Sequence, residues 1–354
     1  MSRTTYIQAG ASIALAVLML LGLVTDLTLL ETAAPGVGLA MAGAFAPFPI
    51  DPELQAVAIA YRNDRLIADD VLPRQPVGKQ EYIYYKWNKE ESYSVPNTSV
   101  GRTSAPNQVE FQADEVTSST SDYALDDPLP LRDIENAPDT VDPEARATEG
   151  LTDLILLDRE VRVASLVFDP AQYAASNKIT LSGTDQFSDF SNSDPIGVIE
   201  QYLNVPLVRP NTMTIGQEAW SKLRQHPDII KAVNATAGDT GLAQRDAVAE
   251  LFELEEIQVG SAFLNTSTKG QNASFSRVWG KHILLHFKDE LANPSRSASR
   301  VTFGWTAQFG DRIAGSIEDN DIGMRGGQRV RVGESVDEHI VAPDVASFIE
   351  DAVA

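Results

Sequence analysis

The chain has 354 residues, 43% of them apolar and 22% charged, the balance of a folded protein with room for about two domains rather than of a disordered one. Its formal net charge of −22 excludes non-specific capture of a phosphate backbone, which needs Lys and Arg to displace counterions. With no cysteine, it cannot use disulfides, thiolate metal sites, iron–sulfur clusters or a cysteine nucleophile.

The stretch "AGASIALAVLMLLGLVT" (residues 9–25) carries no charge and reaches the lower length limit of a membrane helix, about 17 residues. Three readings stay open: a signal peptide with Arg3 as its positive end, a membrane anchor, or upstream translation before a true start at Met41. Residues 1–47 are therefore expected to be an apolar leader that is dispensable or not native. "PIDPELQAVAIAYRNDRLIADDVLP" opens with Asp51 as N-cap and Pro52 at the first helical position, with Leu54, Val57, Ala58 and Tyr61 on one face.

"EYIYYKWNKEESYSVPNTSVGRTSAPNQVEFQADEV" (residues 81–116) alternates as two strands. Tyr82 and Tyr84 point one way, Ile83, Tyr85 and Trp87 the other; Val109, Phe111 and Ala113 share a face farther on. A lone two-stranded hairpin is marginal in water, so this aromatic surface needs a packing partner. Pro128, Pro130 and Pro138 then predict a long extended connection. Residues 110–160 hold 15 Asp and Glu against 3 Arg, which reads as a solvated acidic face.

"VDPEARATEGLTDLILLDREVRVASLVFD" predicts the strongest helix, 143–168, capped by Asp142 and Pro143 and about 40 Å long. Ala147, Leu151, Leu154, Val161 and Phe168 mark its apolar face, and Asp158 can pair with Arg162 one turn on. Short strands and helices follow without regular alternation: "KITLSG", "PIGVIEQYL", "NTMTIGQEAWSKL", "RDAVAELFELEEIQVG", then a run of strands from "RVWGKHILLHF" to "QRVRVGESVDEHIV". "DVASFIEDAVA" is expected to close as a helix. The class is α+β.

No catalytic motif stands out. His282 and His286 have the i,i+4 spacing of a zinc pair but lack the Glu of HExxH and sit in a strand context, so solvated or cross-strand histidines are favoured. His226 and His339 read as structural. Asp185, Asp189 and Asp194 lack the ligand order of a calcium loop and read as turn chemistry. No phosphate-binding or nucleophile-elbow motif occurs; "GVG" at 36–38 is too short to count. No catalytic residue, cofactor or metal is expected.

Taken together, "IDPELQAVAIAYRNDRLIADDVLPRQPVGKQEY", "SAPNQVEF", "ATEGLTDLILLDREVRVASLVFD", "RPNTMTIGQEAWSKLRQHPDIIKAVN", "RVWGKH", "TAQFGDRIAGSI" and "GGQRVRVGESV" resemble the major capsid proteins of tailed bacteriophages. The match is diffuse and runs in order from about Phe48 to the C-terminus; the apolar leader departs from it. The resemblance implies an N-terminal arm (48–80), an extended loop (81–135), a peripheral domain with a long spine helix (136–195 and 325–354) and an axial domain (196–324). It implies a non-enzymatic coat protein of a phage or prophage, assembled in the bacterial cytoplasm, that forms hexamers and pentamers of itself in an icosahedral shell.

Portal, scaffolding or decoration proteins would be its other partners; DNA would be enclosed without specific binding, and the mature particle would hold no membrane. On that reading Tyr82, Tyr84, Trp87 and Phe111 are expected to bury their rings on a neighbouring subunit, each about 150 Å2 of ring surface contributing roughly 3–4 kcal/mol. A cellular nanocompartment shell and an exported or membrane-tethered envelope binding protein are the alternatives. Lys79, Lys86 and Lys89 lie near the arm, where covalent crosslinking is conceivable, but they read as solvated lysines.

Overall fold

The computed structural model describes residues 48–87, 93–109, 113–138, 140–233, 241–268, 270–289 and 301–354. The apolar run at 9–25 and the "GVG" at 36–38 lie outside these residues. Asp51–Ala354 forms one unit by its internal contacts.

Helix α1 (Pro52–Ala60) starts as its cap residues require: Asp51 Oδ1 accepts from Glu53 N–H at 2.9 Å. A short α2 (Ala68–Val71) leads into β1 (Arg74–Val77). Strands β2 (Glu81–Trp87) and β3 (Ala113–Ser119) pair antiparallel as a separate ribbon, with Tyr84 opposite Val116. The described part of the second strand, Ala113–Ser119, runs on past Val116, where the stretch expected to alternate ends. "ADEVTSS" carries one large apolar residue, so its own pattern cannot announce it; pairing with the tyrosine strand sets the register.

The expected connection after it is extended but paired: β4 (Ser121–Pro130) is the edge of a four-stranded sheet, where Pro128 and Pro130 are tolerated. Then come α3 (Leu131–Glu135) and the long α4 (Pro143–Val167), capped by Asp142 Oδ1 on Glu144 N–H at 2.9 Å.

Beyond α4 the chain runs through β5 (Lys178–Thr180), α5 (Pro195–Leu203), β6 (Thr212–Gly216), α6 (Gln217–Leu223), α7 (Pro227–Val233), α8 (Arg245–Leu251), β7 (Glu256–Gly260), β8 (Phe263–Asn265), β9 (Phe275–Arg277) and β10 (Ile283–His286). Two long strands, β11 (Gly304–Asp319) and β12 (Gly327–Ile340), precede β13 (Ala346–Glu350). The terminal "ASFIE" is therefore a strand and not the expected helix. Its residues are buried on both faces between β5 and β10, and a short apolar run of that kind has no periodicity to separate the two forms.

Two sheets result, ordered β1-β11-β12-β4 and β5-β13-β10-β6-β7. Helix α4 serves both. Ala147, Leu151 and Ile155 pack with Leu54 and Ala58 of α1 and with Ala314, Val330 and Val332 of the first sheet, whereas Val163, Ala164 and Val167 join Leu284, Phe348, Trp279 and Phe303 on one face of the second. The other face of that sheet is covered by Ile199, Leu203, Trp220, Leu223, Val248 and Phe252 from the short helices and their edges.

Sheet membership cuts across the expected segments 136–195 with 325–354 and 196–324. β11 belongs with the first sheet, and β13 belongs with the second. Leu154, expected on the apolar face of α4, is 53% exposed, while Thr148, Thr152, Arg159 and Glu160 are buried. Thr148 and Thr152 donate to carbonyls of their own helix one turn back, while Arg159 and Glu160 find partners across the fold, none of which hydropathy alone marks.

Candidate assembly surfaces and their electrostatics

The β2–β3 ribbon has two unlike faces. On the inner face Tyr82 and Tyr84 are 9% and 5% exposed, packed with Trp305 and Ala307 of β11; the Tyr82–Trp305 and Tyr84–Trp305 ring centroids are each 5.9 Å apart. These two rings therefore find cover inside their own chain, a correction to the expectation that they need a neighbour. β11 extends past the ribbon root and supplies the third element that the local sequence lacks. The strand alternation itself holds, since Ile83 on the opposite face is exposed. The side chain of Trp87 and the whole of Phe111 lie outside the described residues.

Polar groups seal the same root. Asp337 Oδ2 on β12 accepts from Tyr82 Oη at 3.0 Å and from Ser118 Oγ at 2.7 Å, one donor from each ribbon strand. His339 Nε2 lies 2.9 Å from the same oxygen and touches the Tyr82 hydroxyl. Burial pushes the Asp337 carboxyl up, but the donors His339, Ser118 and Tyr82 outweigh it and hold it below the usual carboxylate range. Burial and the Asp337 charge push the Tyr82 phenol well up.

Every residue from 93 to 109 is exposed, including Tyr93, Val100, Val109 and Val95, the last at 96%. These apolar side chains are spaced through a mostly polar stretch and stand in solvent in the single subunit. A second aromatic patch lies on the β8–β9 hairpin. There Phe263 and Phe275 are exposed, with the Arg277 guanidinium 4.3 Å over the Phe263 ring.

Where α4 crosses the first sheet, a chain of ion pairs joins four segments. Glu334 of β12, its side chain fully buried, holds Arg74 Nη1 at 2.8 Å and Arg312 Nε at 3.0 Å. Arg74 Nε also reaches Asp69 at 2.7 Å, and Asp69 pairs with the buried Arg159 of α4. Arg159 Nη2 further donates to Thr306 Oγ1 at 3.0 Å. The pair expected within α4, Asp158 with Arg162, is present, and Arg162 Nη2 continues to Glu338 at 2.9 Å.

Next to this chain, Glu160 accepts from the backbone N–H groups of Ile67 at 3.0 Å and Ala68 at 2.8 Å, and from the indole N–H of Trp279. It thereby caps α2, whose own N-cap residue Ile67 has no side chain to do so. Trp279 in turn lies flat against Gly260, where an added Cβ would come within 2.1 Å of its ring.

These polar residues bear on whether any of this is catalytic machinery. Ser193, His226 and Asp228 have the composition of a triad, but their wiring runs the wrong way. Ser193 Oγ donates to the Asp189 carbonyl at 2.7 Å, and His226 Nδ1 accepts from Asp228 N–H at 3.2 Å. The 3.1 Å contact between His226 Nε2 and Ser193 Oγ must then carry the proton on nitrogen, so the imidazole cannot take one from serine. Asp189 and Asp194 act in turns and caps, Asp189 accepting from Ser191 N–H at 3.1 Å and Asp194 from Gly197 N–H at 2.8 Å. His282 and His286 are no metal pair. His282 meets Phe168 edge to face and lies tilted beside Phe348, whereas His286 is fully buried beside Phe303 with neither ring nitrogen hydrogen-bonded.

His286 yields a pH prediction. Burial, with a smaller push from Lys288, drives its pKa down to about 3. The unfolded chain takes up a proton below about pH 6.5 that the native chain refuses, so this residue costs stability as pH falls. Between pH 7 and 4.5 the loss from it is roughly 2–3 kcal/mol. His286→Leu should keep the packing and flatten that slope, as read from urea midpoints at both pH values. Equal losses in parent and variant would rule this role out.

No protein-family model matches the chain. It is 54% identical to the major capsid protein of Pseudomonas phage JBD67, over 87% of this chain and 99% of the relative. It is 30% identical to the major capsid protein of Burkholderia phage BcepMu, over 73% of this chain and 82% of the relative. Among solved structures, a phage-related protein from Bordetella bronchiseptica RB50 superposes with a TM-score of 0.66 at 25% identity, over 86% of this chain and 97% of that one. The capsid of cyanophage P-SCSP1u superposes with a TM-score of 0.53 at 10% identity, over 82% of this chain and 89% of that one, and so shares the fold.

Proposed function

We propose a role for each surface from one premise, that the chain belongs to the family of phage major capsid proteins. It is the structural subunit of a phage head and works in the virion, in many copies, with the α+β fold of phage capsids. The observation that carries the reading of its surfaces is the exposed stretch at residues 93–109, mostly polar but holding Tyr93, Val95, Val100 and Val109 in solvent. The ribbon reaches over an adjacent copy, where Tyr93, Val95, Val100 and Val109 are buried together with Ile83 on the outer face. Trp87 shares the parity of Ile83, and Trp87 and Phe111 stay candidates for the same contact. Tyr82 and Tyr84 instead fix the angle at which the ribbon leaves its own subunit.

On this reading residues 48–80 are the N-terminal arm and 81–135 the extended loop. The first sheet with most of α4 is the peripheral domain, and the second sheet with its short helices is the axial domain, which meets its copies around hexamer and pentamer axes. The role is mechanical and not enzymatic, a reading supported by the direction of the Ser193–His226 hydrogen bond. Portal and scaffolding or decoration proteins are the further partners. Double-stranded DNA is enclosed without being held, in keeping with the net charge of −22.

A photocrosslinking residue at Val95 tests the contact. In assembled particles it should give crosslinked dimers of the chain on a denaturing gel, with the attachment mapped to a second copy. Crosslinks confined to the same chain would overturn the assignment.

A further inference from the structure

The ribbon is joined to the rest of the subunit by very little backbone. Residues 78–80 are exposed between β1 and β2, and a side chain placed at Gly78 would meet nothing within 4 Å. Thr120 alone separates β3 from β4, and one hydrogen bond, Thr120 N–H to the Gln80 carbonyl at 3.0 Å, ties the two connections together. Both connections are short, and the side chains at 78–80 are not packed against the sheet. Such segments absorb dihedral changes at low cost.

Against that loose backbone stands a concentrated set of side-chain contacts, all at the inner end. Tyr82 and Tyr84 pack on Trp305, with Val116 and Val341 at the margin. The polar contacts converge on a single oxygen, Asp337 Oδ2, which takes Tyr82 from one strand and Ser118 from the other and has His339 beside it. The His339 ring lies 5.1 Å from Tyr84 and 5.7 Å from Trp305, so it closes the aromatic cluster behind the carboxylate.

We propose that Asp337 is the bolt of a latch: the ribbon has a docked state, held through Tyr82 and Ser118, and a released state in which it swings about residues 78–80 and Thr120. One carboxylate oxygen bonding to both strands makes release concerted. Losing it removes the polar anchor of both strands at once and leaves the paired ribbon held by the packing of Tyr82 and Tyr84 on Trp305 alone. A released two-stranded ribbon is only marginally stable by itself, so its backbone amides become reachable by solvent as soon as it leaves the sheet. The latch lies wholly within one subunit and stands or falls independently of where the exposed tip docks.

Hydrogen exchange on the unassembled full-length chain tests it, with Tyr82→Phe and Asp337→Ala compared with the parent. Tyr82→Phe keeps the ring in its cluster and removes one hydroxyl. Loss of such a bond should speed exchange at Glu81–Trp87 and Ala113–Ser119 by a factor of about ten, on the scale of one hydrogen bond. Protection at Ile283–His286 and Ala346–Glu350 should not change. Asp337→Ala should give a larger increase on both ribbon strands equally. If ribbon exchange is unchanged in Tyr82→Phe, or if it rises equally in the central strands of the second sheet, the latch is wrong. Faster exchange on one strand alone would also overturn it. Should Asp337→Ala fail to fold, Tyr82→Phe decides the matter.

Discussion

Replacing residues 88–112 with a short Gly-Ser linker should leave a folded subunit that no longer closes a shell. The fold is expected to survive because the described residues of that segment are all exposed, and because the anchoring contacts of the ribbon lie inward of it at Tyr82, Tyr84 and Ser118. The thermal midpoint should therefore stay within about 2 °C of the parent, the usual size of a surface change in a chain this long. Assembly is another matter. Each apolar side chain buried on a neighbour contributes about 1.5–3 kcal/mol, and a closed symmetric structure repeats every contact in every copy. Removing several such side chains per subunit should shift the product from closed particles to free subunits, as seen by electron microscopy and light scattering. Closed particles of normal size from the shortened chain would show that the tip is not an assembly contact.

The second large effect should come from Glu334→Gln, which is expected to cost about 3–5 kcal/mol of folding free energy. The glutamate lies between Arg74 and Arg312 with no exposure of its own side chain, and Arg74 passes the charge on through Asp69 to Arg159. Glutamine keeps the shape but leaves the Arg74 and Arg312 guanidinium groups, 18% and 12% exposed, without their shared counter-charge at a position whose own side chain is closed to water. Burial alone would raise the Glu334 carboxyl, but Arg74 and Arg312 hold it below the usual glutamate range. A carboxyl depressed in the native state stabilises the fold above its ordinary range and loses that contribution as pH falls through the native value. The parent should therefore weaken toward acid more steeply than Glu334→Gln. Urea unfolding at neutral and acid pH measures both. A loss under about 1 kcal/mol at neutral pH would mean that the network does not hold the sheet to α4.

Much of the local structure could be read from the chain. The cap-and-proline pairs Asp51–Pro52 and Asp142–Pro143 start helices where they were expected, because a helix N-terminus is decided by groups within three residues of it. The alternation of Tyr82, Ile83 and Tyr84 correctly separates an inner from an outer ribbon face. The surfaces were harder. Ring burial at Tyr82 and Tyr84 depends on Trp305, which is remote in sequence, and no local pattern reports it. Arg159 and Glu160 fall within the 110–160 stretch whose composition reads as a solvated acidic face, since a buried ion pair has the same composition as an exposed one. Glu334 and Asp337 could not be told from the other acids of β12 for the same reason.

Local sequence therefore settled the elements of this protein: where its helices begin, which strands alternate, that it lacks thiol chemistry, and that it carries a net charge of −22. Only the tertiary structure decided which of its aromatic rings are buried inside the subunit, as Tyr82 and Tyr84 are, and which stay exposed, as Tyr93, Phe263 and Phe275 do. Helix capping and strand parity are short-range effects carried by adjacent residues. Burial and charge pairing are sums over groups that the chain brings together from far apart.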